Sequence, residues 1–235
     1  MHFFRVINER KGYDMNIVHM SGISKKYPAS GGEIFALRQV DFQVEEGEFV
    51  AIRGRSGAGK STLLNIIGTL IKPTTGEYFL RGQRADQMSE DQILALRRKE
   101  IGFVFQQYRL FRSYSVWENI CMPLALDQVE VDEAYLQELA SRCGIADKLD
   151  NYPDQLSGGE QQRVALIRAM AHKPAVVLAD EPTGNLDYKT GMAIMQLMED
   201  CRHEFGQTII MVTHDKESAD YADRLVILED GKIIG

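Results

Sequence analysis

The stretch Gly54-Arg55-Ser56-Gly57-Ala58-Gly59-Lys60-Ser61 constrains this chain more than any other. It has the form GxxxxGK[ST]. It lies between an apolar run, Phe49-Val50-Ala51-Ile52, and a helix-patterned run, Thr62-Leu63-Leu64-Asn65-Ile66-Ile67. Strand, glycine-rich loop and helix are the context in which that spacing makes a phosphate cradle. The glycines let the backbone curl until successive N–H groups point at one anion. The helix start adds unpaired N–H groups and its positive dipole end. Lys60 is placed to reach the β- and γ-phosphates of a nucleoside triphosphate, and the Ser61 hydroxyl to hold Mg²⁺.

The chain has 235 residues, room for one large α/β domain or two small ones. A net charge of −7 argues against a surface that coats nucleic acid, so no nucleic-acid partner is expected. Cys121, Cys143 and Cys201 match no CxxC or metal spacing and read as reduced thiols. No run approaches the ~20 apolar residues of a membrane span. The first residues lack the apolar core of a signal peptide. Any link to a membrane is therefore expected to come through a partner. Residues 1–15 show no clear period and read as a peripheral extension, with the domain over 16–235.

Residues 17–27 read as a strand, 28–32 as a Gly/Pro loop, and 34–44 as an alternating antiparallel strand with one wet face. Another strand spans 76–82, so the first third is antiparallel β around one βα unit. Residues 90–98 have helical spacing and 101–105 read as a buried strand. From about 107 to 156 the spacing is helical with loops, which predicts a helical subdomain. A helix over 159–171, a buried strand over 175–179, a helix over 189–205 and a buried strand over 208–213 follow. Residues 224–228 and 232–234 read as a final hairpin around Asp230-Gly231.

Two further motifs complete a site. Asp180-Glu181 follows a continuous apolar strand, which aims both carboxylates at the sheet edge where open α/β sheets bind ligands. Asp180 reads as the metal-side carboxylate and Glu181 as the general base that polarises water. Leu156-Ser157-Gly158-Gly159-Glu160-Gln161-Gln162-Arg163 opens a helix, with Ser157 as N-cap and paired glycines that admit an anion to the exposed N–H groups. One chain has one nucleotide loop, so this second terminus needs another nucleotide.

Together these motifs, LSGGEQQR above all, resemble the nucleotide-binding subunits of ATP-binding cassette (ABC) transporters over residues 16–235. The resemblance implies the α/β P-loop NTPase cassette: a mixed, mainly parallel core sheet, an antiparallel β subdomain and a helical subdomain. It implies ATP and Mg²⁺ as ligands, ATP hydrolysis coupled to transmembrane movement, and two copies packed head to tail. Each ATP then lies between Gly54–Thr62 of one copy and Leu156-Ser157-Gly158-Gly159-Glu160 of the other. By the same resemblance Tyr27 stacks on adenine, and Gln106 joins Ser61 and Asp180 at the metal and touches the attacking water. Asn185-Leu186-Asp187 cross the dimer interface. His214 contacts the γ-phosphate, which with Glu181, Gln106 and Lys60 makes the catalytic set.

The phrase Ala179-Asp180-Glu181-Pro182-Thr183-Gly184-Asn185-Leu186-Asp187, with Leu63-Leu64-Asn65 and Phe103-Val104-Phe105-Gln106, is similar to the lipoprotein-release and macrolide-export group. Arg55 is less usual in that loop than a small residue. The likeness implies a homodimer on the cytoplasmic face of the inner membrane, under a permease with large extracytoplasmic domains, powering export or extraction. The surface for that permease is expected over 107–126, with Tyr108, Phe111 and Tyr114 as contacts. Two alternatives stay open: a regulator that signals through a membrane partner to an extracytoplasmic hydrolase, and a soluble ATPase of an assembly scaffold.

Overall fold

A computed structural model describes residues 16–29 and 32–234. The expected extension over 1–15 and the loop tip at Ser30 and Gly31 lie outside the described residues. The chain opens with two long strands, β1 (Asn16–Ala29) and β2 (Gly32–Glu45), then enters β3 (Phe49–Arg53) and α1 (Lys60–Ile67). Next come β4 (Thr75–Leu80), β5 (Gln83–Arg84), α2 (Glu90–Glu100) and β6 (Ile101–Phe105). α3 (Val116–Leu126) and α4 (Glu133–Arg142) occupy the stretch with helical spacing. The last part alternates: α5 (Gly158–Met170), β7 (Val176–Asp180), α6 (Tyr188–Phe205), β8 (Thr208–Val212), α7 (Lys216–Ala219), β9 (Arg224–Glu229) and β10 (Lys232–Ile233). Among the described residues no helix is long and apolar enough to cross a membrane.

These strands form a four-stranded sheet, β2-β1-β4-β5, and a six-stranded sheet, β10-β9-β3-β8-β7-β6. The first is antiparallel throughout. The second is parallel apart from β10, with β3 between β8 and β9. The C-terminal hairpin forms as its Asp230-Gly231 turn predicts, but its first strand also pairs with β3 and widens the parallel sheet. The short run Arg224–Leu228 shows its period and not its partner.

The apolar runs of β3, β7 and β8 show no alternation in the sequence because both faces of the sheet are covered. The pleat divides them. Phe49, Ala51, Val177, Ala179, Ile209 and Met211 face a core shared with α3, α4, α5 and α6. Val50, Ile52, Val176, Leu178, Ile210 and Val212 face a second core, completed by α1 and the antiparallel sheet. Ser89 with Gln92, Ser115 with Glu118, and Ser157 with Glu160 close capping boxes at the starts of α2, α3 and α5. Each such cap is worth about 1 kcal/mol.

Where α5 crosses β6 the backbones nearly touch. A methyl group on Gly102 would run into the Ala169 carbonyl, which belongs to the helix backbone and cannot turn aside. Gly102→Ala is therefore expected to cost about 1–3 kcal/mol of stability, the scale of overpacking in a filled core. A urea titration reads this as a lower midpoint; an unchanged midpoint would show that α5 is free to move off β6.

Candidate functional site

β3 delivers the glycine-rich loop to the carboxyl edge of the parallel sheet. Gly59, at φ 104°, caps α1 without a side-chain hydrogen bond, so the first N–H groups of the helix open onto the loop. A Cβ there would strike the Ala36 carbonyl oxygen, so φ and space both demand glycine. The Lys60 ammonium folds across its own loop and donates to Gly54 O at 2.8 Å and Arg55 O at 3.2 Å. The β9–β10 turn braces the loop from outside: Gly231 N donates to Ala58 O at 3.0 Å, and its carbonyl accepts from Arg38 N at 2.8 Å.

The loop opens on a cleft of about 420 Å³. Ser56, Gly57, Gly59, Lys60, Ser61 and Thr62 form one wall with Ala36 against Gly59, and Glu181, Val212 and His214 complete the lining. A larger cavity of about 840 Å³ lies around Glu45–Glu48, Arg202 and Arg224. It sits at the amino end of β3, opposite the edge where a parallel sheet binds ligands, and holds none of the candidate residues.

Glu181 occupies left-handed backbone, φ 48°, and its N–H donates to Val212 O at 2.9 Å. One carboxylate oxygen lies 2.9 Å from His214 Nδ1. The carboxylate is largely enclosed while the imidazole is exposed. Burial pushes the Asp180 carboxyl above its usual range, and the charge of Glu181 adds to this, against the opposing pull of Arg109 and Lys60. A half-buried carboxylate at the carboxyl edge of the sheet is the kind of hard oxygen donor that suits a small divalent cation. Among the described residues no group of three or more His, Cys, Asp and Glu side chains converges on a metal. A cation here would depend on oxygens of its substrate, the usual habit of Mg²⁺ at nucleotide sites.

Asp180, Gln106 and Tyr27, all expected at the nucleotide, are not among the residues that line the cleft. Gln106 is exposed at the end of β6, where its Nε2 donates to Asn185 Oδ1 at 3.1 Å and its backbone oxygen accepts from Asn185 Nδ2 at 2.8 Å. Tyr27 lies near the end of β1, 40% exposed, with the Lys25 ammonium 5.4 Å from the ring centroid.

The second anion-accepting terminus faces elsewhere. The Ser157 hydroxyl accepts from Glu160 N at 3.4 Å and donates to Glu160 Oε2 at 2.8 Å. Lys148 pairs with the other Glu160 oxygen. Lys148 first, then Ser157, hold the Glu160 carboxyl down at about 2. Leu186 packs into the core beside Gly158, while Asp187 caps α6 and accepts from Thr190 N at 3.1 Å and Thr190 Oγ1 at 2.6 Å. None of the residues from Leu156 to Glu160 or from Asn185 to Asp187 lines the cleft.

Tyr108, expected as an outward contact, turns inward. Its hydroxyl lies over Gly158, and its backbone oxygen accepts from Arg168 Nη2 at 2.8 Å. Arg168 Nη1 donates to Arg109 O at 2.6 Å, and burial pushes the guanidinium down to about 10. Arg168 was missed by sequence reasoning, although a lone cation within Val164–Met170 is the signal that could have found it. Asn119 was missed as well. It is fully buried and makes four hydrogen bonds that shape the loop before α3, to Phe111 N, Phe111 O, Tyr114 O and Ser115 O. That loop leaves Phe111 and Tyr114 exposed, their rings 5.8 Å apart.

Comparison with known proteins adds to this geometry. The family model described as ABC transporter matches residues 37–184. An uncharacterized ABC transporter ATP-binding protein of Methanocaldococcus jannaschii is 45% identical over 222 residues, covering 93% of this chain and 98% of that protein. The macrolide export ATP-binding/permease protein MacB of Agrobacterium fabrum is 41% identical over 220 residues, covering 93% of this chain but only 34% of MacB. A solved dimeric bacterial ABC transporter cassette superposes with a TM-score of 0.83 at 40% identity, covering 93% of this chain and 97% of that one. A post-hydrolysis state of the same cassette, bound to ADP and Pi, gives 0.82. With a family model over more than half its length and relatives above 40% identity along nearly all of it, the chain belongs to the ABC transporter family, as one of its ATP-binding domains.

Proposed function

We propose that this chain hydrolyses ATP as a head-to-tail dimer and drives export or extraction through a membrane permease subunit with large extracytoplasmic domains. One observation carries the reading. Glu181 and His214 face Lys60 and Ser61 across a single cleft, while the start of α5 stands on another surface with no nucleotide loop of its own. The solved dimeric relative and its ADP- and Pi-bound state support both the dimer and the hydrolysis.

In this mechanism Glu181 takes a proton from water in line with the γ-phosphate. His214, whose Nδ1 lies 2.9 Å from a Glu181 carboxylate oxygen, contacts the γ-phosphate. Lys60 exchanges the carbonyls of Gly54 and Arg55 for phosphate oxygens, a stronger, charge-assisted pairing. Ser61, Asp180 and Gln106 would hold Mg²⁺, which would supply neutralising charge to the phosphates. From the second copy, Ser157 and the N–H groups of Gly158 and Gly159 meet the same nucleotide, and Tyr27 stacks on the adenine. Asn185, Leu186 and Asp187 line the contact between copies. ATP thus joins two protomers, and its hydrolysis releases them.

The permease docks on the loop before α3, at the cytoplasmic face of the inner membrane. Phe111 and Tyr114, 50% and 43% exposed, are held outward by Asn119, as an apolar docking surface requires. The name of MacB, which joins an ATP-binding part to a permease, favours export among the readings. Cargo selection belongs to the permease.

Three outcomes test this. Glu181→Gln is expected to lower turnover by roughly 10²–10⁴-fold, the usual share of a general base, while ATP still binds and an ATP-dependent dimer persists on size exclusion. Near-normal turnover would remove Glu181 from that role. Ser157→Arg is expected to keep ATP binding and block hydrolysis; a monomer with normal activity would sink the shared site. Phe111→Glu with Tyr114→Glu is expected to abolish copurification with a membrane protein while ATP affinity is kept.

A further inference from the structure

Gln106 and Asn185 lie 79 positions apart and are joined by two hydrogen bonds of opposite sense. Asn185 Nδ2 donates to the Gln106 backbone oxygen at 2.8 Å. A carbonyl only accepts, so the Asn185 amide must present its nitrogen there and turn its oxygen toward the Gln106 side chain. Gln106 Nε2 then donates to Asn185 Oδ1 at 3.1 Å. This chain of donors and acceptors fixes the Gln106 amide: its nitrogen is engaged, and its oxygen is the end left for another partner.

The loop that carries Asn185 is itself held. Gly184 N donates to Glu181 O and Leu186 N to Thr183 O, both at 3.0 Å, and Asp187 caps α6. Gly184 lets Gln106 lie flat on this loop: a Cβ there would sit 2.7 Å from Nε2 and 3.1 Å from Cδ. A bound divalent cation at the nucleotide takes oxygen donors, and an amide turned the wrong way offers it two N–H groups instead.

We infer that Asn185 is a positioning residue for the nucleotide site: its paired hydrogen bonds orient the Gln106 amide so that the oxygen is offered to the divalent cation of the bound nucleotide. The inference rests on the reading above, in which Gln106 meets Mg²⁺. It gives Asn185 a role within its own protomer, apart from any contact with a second copy. Glu181 opens the same held loop, so the general base and the orienter of Gln106 share one hydrogen-bonded turn.

The test measures affinity, not turnover. A fluorescent N-methylanthraniloyl ATP is titrated into the full chain, with Mg²⁺ and with EDTA. The proteins are the wild type, Asn185→Leu, Gln106→Ala and the double variant. Asn185 is exposed, so its replacement leaves the core intact. Asn185→Leu is expected to weaken affinity about two- to tenfold in Mg²⁺, the worth of an ordinary net hydrogen bond, and not in EDTA. In the Gln106→Ala background the same change is expected to have no effect. Equal weakening in Mg²⁺ and EDTA, the same weakening without Gln106, or unchanged or tighter binding each overturns the role of Asn185. A wild-type affinity indifferent to Mg²⁺ would instead remove the nucleotide–cation site itself, and this inference with it.

Discussion

Ile52, Val212 and Asp180 lie in register across three adjacent parallel strands, and the rest of the site depends on that register. Ile52 pairs with Val212, and Val212 with Asp180. The backbone hydrogen bonds from Thr213 N to Ile52 O and from Glu181 N to Val212 O continue the alignment one residue past the strands. Three segments far apart in sequence thus end at one height: the loop at 54–61, the carboxylates at 180–181 and His214. A slip of one residue in β7 would turn every side chain of that strand to the opposite face and bring Asp180 out of line with Ser61. The two apolar cores, one on each face, make that slip costly, because each strand feeds both.

α5 ties this edge to the surfaces around it. Its Gln162 side chain donates to Pro182 O at 2.6 Å, just past the carboxylates. Arg168, nearly two turns further along the helix, holds the backbone oxygens of Tyr108 and Arg109. Those two residues have φ of 54° and 51°, a conformation that side chains other than glycine rarely adopt unless the surroundings impose it. The helix that begins at Ser157 is therefore bonded both to the loop of Glu181 and to the segment after Gln106. Gly102 lets α5 pack directly against β6, so both sets of bonds start from a helix seated closely on the sheet.

The parts of the site that could be read from the sequence are those set by local chemistry. The loop at 54–61, the Ser157 cap, the Asp180–Glu181 pair and the Asp230-Gly231 turn each depend on residues within one short window. The buried strands were visible as apolar runs because burial on both faces removes alternation. What could not be read depends on distant partners. The pairing of β9 with β3 and the bracing of Ala58 by Gly231 have no local mark, and the lone cation at Arg168 does not name Tyr108 and Arg109 as its partners. Tyr108 was expected among the permease contacts; its hydroxyl instead lies against Gly158, a placement that the long separation of the two residues hides in the sequence. Asn119 reads as an ordinary polar residue of a helix until its four partners are in place.

Several side chains of the site are already paired within the protomer. Lys60 is bound to carbonyls of its loop, Glu181 to His214, the Ser157 hydroxyl to Glu160, and Gln106 to Asn185. A ligand must replace these bonds as well as meet the open N–H groups at the start of α1. A net hydrogen bond between neutral groups is worth about 0.5–1.5 kcal/mol, and one to a charged group about 1.5–3 kcal/mol. The exchange favours a ligand only where it brings concentrated charge to several of these groups at once. A neutral molecule brings no charge to these groups and gains little over the bonds it breaks. A triphosphate spans the loop and the opposite wall, so the internal bonds themselves discriminate for it. Glu160 extends the argument to the second copy. Its charge stands beside the helix terminus that would meet an anion, and Lys148 neutralises it. That pairing lets a carboxylate cap the helix without repelling the phosphate the helix is proposed to receive.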